Sequence, residues 1–194
     1  MAYLHGAYGE IGESKVASVT QADVVAAYIG TAPVNLIRGY ADKDLVNMPV
    51  KVTNMSEVQS RVGYSDDWET FTLGSAFAEH FDNTVGNVGP IYIVNVLDPA
   101  VHKSAQKTLT FTDGKAEFES DKIILDTFAI ADKAEGVDYA LSYSMAKHTV
   151  TVTLLKETDG AELSATFDTV DTSKVQAADI IGERTETGEY TGLA

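Results

Sequence analysis

The sequence contains no cysteine. Disulfide staples, thiolate nucleophiles and cysteine-ligated zinc are therefore excluded. Positive charge is scarce: 14 Lys and Arg stand against 29 Asp and Glu, a formal net charge of −15. A surface of that sign does not neutralise phosphate, which argues against nucleic acid or an anionic membrane as partner. No stretch approaches the roughly 20 apolar residues that span a bilayer. The N-terminal MAYLHGAYGEIGESK has neither a basic leader nor an apolar run of signal-peptide length. Synthesis and folding in a cytoplasm are expected. What is present is enough apolar material for a core: 44% hydrophobic residues in 194, a length for one large domain or two small ones.

The pattern changes near Asp98. Before it, strand and helix signals alternate. VVAAYIGTAP (24–33) is a continuous apolar run closed by Gly30 and Pro33, and its Val and Ile content predicts a buried strand. PVKVTN (49–54) is a second strand, with Val50 and Val52 on one face. NMSEVQSRVG then reads as a short helix capped by Asn54 or Ser56 and ended by Gly63. DDWETFTLGSAFAEHFDN predicts an amphipathic helix capped by Asp66 or Asp67. Phe71, Leu73, Gly74, Phe77, Ala78 and Phe81 form its apolar face, opposite Glu69, Thr72, Ser75, Glu79 and Asp82. PIYIVNV returns as a strand.

After Asp98 nearly everything reads as strand. QKTLTFTDGKAEFES predicts a tight hairpin at Asp113-Gly114, and Asp159-Gly160 signals a second. KIILDTFAIA and VDYALSYSM continue the alternation, and DTSKVQAADIIG (171–182) predicts a closing helix with Asp171 or Thr172 as cap. Residues 102–184 thus form a β unit of about five or six strands. The polar, glycine-punctuated ERTETGEYTGLA reads as a linker. The fold class is α/β (a partial layered domain with a mixed sheet) plus an inserted all-β domain, α+β overall.

Chemistry-bearing patterns are sparse. Gly6, Gly9 and Gly12 in GAYGEIG lack the preceding strand and following helix that a phosphate loop needs, so a docking arm is the better reading, with Tyr3, Leu4, Tyr8 and Ile11 as its contacts. His5, His80, His102 and His148 are not spaced as a helix- or strand-borne metal site, which favours solvent-facing histidines. Asp66-Asp67, Asp168 and Asp171 read as caps. No G-x-S-x-G occurs, and Ser75 falls mid-helix. Asp98 precedes Pro99, which holds it extended, so it marks a strand's exit. The expectation is no catalytic residue, no cofactor and no metal.

VTQADVVAAYIGTAPVN, MPVKVTNMSEVQSRVG and TLGSAFAEHFDNTVGNVGPIYIVNVLD, taken in order, resemble the N-terminal half of the contractile-tail sheath proteins of bacteriophages and phage-tail-like particles. The resemblance rests on Gly30 to Ala32, Val50 to Gly63, Phe77 to Phe81, Gly86 to Gly89 and Ile91 to Val96, and covers roughly residues 15 to 98. It implies a non-enzymatic subunit that polymerises with copies of itself around an inner tail tube, meets baseplate and tail terminator proteins, and shortens to drive the tube through a cell envelope. It implies assembly in the bacterial cytoplasm and residence in a virion or extracellular particle. The expected organisation is an extended arm over 1–20, the first part of an inner α/β domain over 21–100, an outward-facing inserted β domain over 101–184 and a linker over 185–194 toward a second half. The alternative is a carbohydrate- or protein-binding β module with Tyr139 and Tyr143 as an aromatic platform.

Overall fold

The computed structural model describes residues 25–84, 86–112, 114–156, 162–182 and 185–188. The first unit is a sheet with two helices on one face. Its strands are β1 (Ala26–Gly30), β2 (Pro49–Val52) and β3 (Ile91–Asn95), in the order β1-β3-β2. β1 runs parallel to β3 and β2 antiparallel to it, with Ala26 opposite Ile91 and Val52 opposite Ile91 on the other side. Helices α1 (Met55–Arg61) and α2 (Leu73–Phe81) fall between β2 and β3, giving the expected order strand, strand, helix, helix, strand.

The period-two pattern puts Val50, Val52, Ile91 and Ile93 under the helices, where they meet Val58, Val62, Leu73 and Phe77 in one buried cluster. Burying a side chain such as Phe77 contributes about 1.5–3 kcal/mol. Asn54 caps α1 by accepting from the Glu57 amide at 2.9 Å, as the sequence pattern indicates. Gly63 closes it at φ +80°, and a Cβ there would lie 2.5 Å from the Pro33 carbonyl oxygen. The apolar face read for α2 is also the buried one.

Four expectations need correction. The run 24–33 is not a buried strand. β1 is an edge strand with alternate residues exposed, because no described strand lies beyond it. Neither Asp66 nor Asp67 caps α2, whose N-cap is Thr72. Residues 66–72 are drawn into turns first: Asp67 Oδ1 accepts from the Thr70 amide, and Thr31 Oγ1 donates to the Thr70 carbonyl at 2.8 Å.

The two hairpins are the third correction. β4 (Lys107–Phe111) pairs with β9 (Leu163–Phe167), and β5 (Lys115–Glu119) pairs with β8 (Thr149–Leu154). The strands flanking each Asp-Gly pair thus lie in different sheets; Asp113 and Asp159-Gly160 themselves fall outside the described residues. Sheet β4-β9-β6, with β6 Ala129–Ile130, faces sheet β5-β8-β7, with β7 Tyr139–Ser144. Leu109, Phe111, Ala116 and Phe118 all point into the shared core. Strands packed across a core bury those faces, whereas the same strands side by side would leave the second sheet incomplete. Phe118 stacks on Phe167 at 5.4 Å between ring centroids, and Phe167 on Phe128 at 6.0 Å.

The closing helix is the fourth. Residues 171–182 hold a 3-10 turn, Thr172–Lys174, and a four-residue helix α3, Ala178–Ile181. Val175 is extended between them, and the Gln176 amide donates to Asp179.

The two units are not beads on a string. Leu36 of the first unit lies in the core cluster of the facing sheets. Phe71 and Leu97 pack with Ile124 and Val170 in a third buried cluster. Asn35, fully buried, donates to the Asp121 and Ile123 carbonyls, each at 2.8 Å.

Candidate functional site

The expected contact residues Tyr3, Leu4, Tyr8 and Ile11 lie outside the described residues. One sheet edge that the described structure presents is the outer edge of β1. Its N–H and C=O groups have no strand partner among the described residues. The sheet face away from the helices carries Ala27 and Ile29 beside Tyr92 and Lys51, with Ile29 and Tyr92 55% and 40% exposed. A shallow groove runs along that edge, lined by Tyr28, Ile29, Thr72, Leu73, Ser75 and Ala76.

The edge is held by local polar bonds. The Thr31 amide donates to Thr72 Oγ1 and the Leu73 amide to the Thr31 carbonyl, both at 3.0 Å. Buried Asn95 accepts from the Ala32 amide and donates to the Leu45 and Leu97 carbonyls. Tyr28 OH meets His80 Nε2 at 2.7 Å, while His80 Nδ1 meets the Val88 carbonyl. Strand β1 is therefore anchored at Tyr28 and, just past its end, at Thr31 and Ala32. Its apolar outward residues and unpaired backbone together suit the addition of another strand.

Asp98 is where the chain turns out of the first unit. Its Oδ1 accepts from the Ala100 amide at 2.8 Å, its carbonyl accepts from the Val101 and His102 amides, and its own amide donates to His102 Nδ1 at 3.0 Å. His102 is thus a structural residue, 4% exposed, with Nε2 facing Asp179 at 3.3 Å; the expectation of a solvent-facing side chain fails there. Tyr40 stands nearby, its phenol held above the usual range by burial and then by the charges of Asp98 and Asp126. Ser75 Oγ donates to the Thr72 carbonyl within α2 and is not presented as a nucleophile.

A second polar cluster joins the units. Asp121 accepts from Ser65 Oγ, Tyr143 OH and His148 Nδ1, at 2.5, 2.5 and 2.8 Å. Burial, then the adjacent Asp121 carboxylate, drive the Tyr143 phenol far upward, so it stays a donor. Tyr139 is 3% exposed and its hydroxyl donates to the Phe128 carbonyl. Both tyrosines face inward, which removes the aromatic platform that a glycan-binding β module would have used. The sequence offered no signal for the Asp121 cluster, because Ser65 and Asp121 are 56 residues apart.

A scan against protein-family models finds no match. No solved structure matches either. A comparison with curated proteins does: over 202 aligned residues the chain is 32% identical to the tail sheath protein of Burkholderia phage BcepMu, an alignment that takes in 98% of this chain. The resemblance read from the motifs is therefore borne out, and it extends past Asp98 into the β-rich unit. The chain is similar to part of a phage tail sheath protein. It spans 39% of that relative's length.

Proposed function

We propose that this chain is a structural, non-enzymatic part of a contractile tail sheath. Copies assemble helically around an inner tail tube, with baseplate and tail terminator proteins at the ends, and contraction drives the tube through the target envelope. In this reading residues 1–20 are an arm, 21–100 belong to an inner α/β domain, 101–184 are an outward-facing β domain, and 185–194 lead toward further sheath sequence. Assembly takes place in the bacterial cytoplasm, and the finished subunit resides in a virion or tail-like particle.

The observation that carries the reading is the similarity of nearly the whole chain to part of a tail sheath protein. The β1 edge, which has no strand partner among the described residues, supports it physically. A strand donated by a neighbouring copy, with Tyr3, Leu4, Tyr8 and Ile11 as its contacts, would satisfy the edge's backbone groups and cover Ile29. Such pairing survives rotation of the bodies if the connecting arm is pliable. Driving force would come from many subunit contacts summed along a tube, with no nucleotide consumed.

Negative-stain microscopy of the whole gene product, expressed with and without its tube protein, tests this. Tubular polymers that disappear when residues 1–20 are deleted are the expected result. Isolated particles under both conditions, unchanged by the deletion, would overturn it.

A further inference from the structure

We infer that His148 and Asp66, held in place by Asp121, form a binding site for a divalent transition-metal cation of the zinc type at the junction of the two units. Asp121, Asp66 and His148 each bring one potential ligand atom within 4.8 Å of the others. Their arrangement is more specific than a cluster of charges.

His148 Nδ1 lies 2.8 Å from Asp121 Oδ2. A carboxylate oxygen accepts, so Nδ1 carries a hydrogen, and a neutral ring then keeps its lone pair on Nε2. That lone pair faces Asp66 Oδ1 across 3.5 Å. A tetrahedral ion at roughly 2.0–2.1 Å from each ligand holds them about 3.4 Å apart, the separation seen here. An imidazole whose far nitrogen donates to a carboxylate is also the arrangement that orients histidine on zinc. His102 shows the contrast: its Nδ1 accepts from the Asp98 amide, so its Nε2 is the donor toward Asp179.

The surroundings suit a cation. Asp121 is itself fixed by Ser65 and Tyr143, so the carboxylate that orients His148 is held in place. An open cleft of about 370 Å³ adjoins His148, with room for water ligands. Asp67 and Glu119 line it beside Asp121, and these carboxylates with Asp66 outnumber the facing Lys107 and Lys122. A mixed nitrogen and oxygen donor set favours zinc over magnesium. Since Asp66 belongs to the first unit and His148 to the β7–β8 turn, a bound ion would brace the two against each other.

The test uses the untagged chain, stripped with chelator, and follows Zn²⁺ by titration calorimetry and thermal melting. One equivalent should bind saturably and raise Tm, and Mg²⁺ should not. His148 has φ +52°, a conformation that asparagine tolerates, so His148→Asn keeps the backbone and a donor toward Asp121 while deleting Nε2. That variant and Asp66→Asn should fold, shown by unchanged circular dichroism, and lose both effects. No stoichiometric binding by the wild-type chain, or binding that survives both substitutions, would overturn the inference. The readout is on single chains, so it is independent of whether a sheath assembles.

Discussion

The carboxamide of Asn35, buried in the first unit, donates to the main-chain carbonyl of Ile123 in the second, 88 residues later, and to the nearby Asp121 carbonyl. The bonds stand next to Leu36, whose side chain enters the core of the facing sheets. Replacing Asn35 with alanine would strand two acceptors at a dry junction. A loss of about 1–3 kcal/mol is expected. Urea unfolding of Asn35→Ala against wild type measures it, and an unchanged midpoint would show that the two units do not depend on this contact.

Gly63 should tolerate no side chain. Its φ of +80° and the Pro33 carbonyl 2.5 Å from a built Cβ combine conformational strain with a backbone clash. We expect Gly63→Ala to cost about 1–3 kcal/mol or more. Thermal melting should register this as a lowered Tm, with Gly39→Ala, where nothing lies within 4 Å of a built Cβ, losing less.

Glu57 sets a pH dependence on α1. Its carboxylate is held below the usual range first by the hydrogen bond from Thr53 and then by that from Arg61. A group depressed in the folded state stabilises it above the unfolded value, and that contribution is lost as pH falls through the folded one. The window therefore opens near 4.5, the ordinary glutamate value, and extends downward. Melting temperatures from pH 6 to pH 3 should fall less steeply for Glu57→Gln than for wild type. Parallel curves would contradict the assignment.

Ile29 separates folding from assembly. It is 55% exposed on an edge strand, so Ile29→Lys should change stability by no more than about 0.5 kcal/mol. In the whole gene product the same change places a charge where a neighbouring strand would pack. Sheath polymers should become rarer or shorter by negative stain while the melting curve of the chain stays put. Normal polymers from Ile29→Lys would show that this edge is not an assembly surface.

The legible features were those set by neighbours along the chain. Asn54 lies three residues before Glu57, close enough to cap it whatever the rest of the molecule does. The 3.6-residue period of Phe71 to Phe81 marked the buried face of α2, and the alternation in PVKV marked that of β2. Where reading failed, several distant partners competed. Thr31 reaches across 39 residues to Thr70 and delays the start of α2 beyond Asp66 and Asp67. Asp-Gly pairs permit a tight turn, yet do not say whether the strand that follows pairs beside its predecessor or crosses to the facing sheet.

The amino-acid sequence alone settled the mixed α and β character, the order of elements up to β3 and the resemblance to tail sheath proteins, because each rests on local spacing or on motifs in series. Tertiary structure alone decided that β1 lies at the edge of its sheet among the described residues, that β4 and β5 face each other across a core, and that Asp66, Asp121 and His148 converge. Those outcomes depend on which distant surfaces exclude water together, and hydrophobic burial is non-directional: it rewards contact without naming the partner. Only the closed chain, in which most buried donors and acceptors find partners, makes the choice.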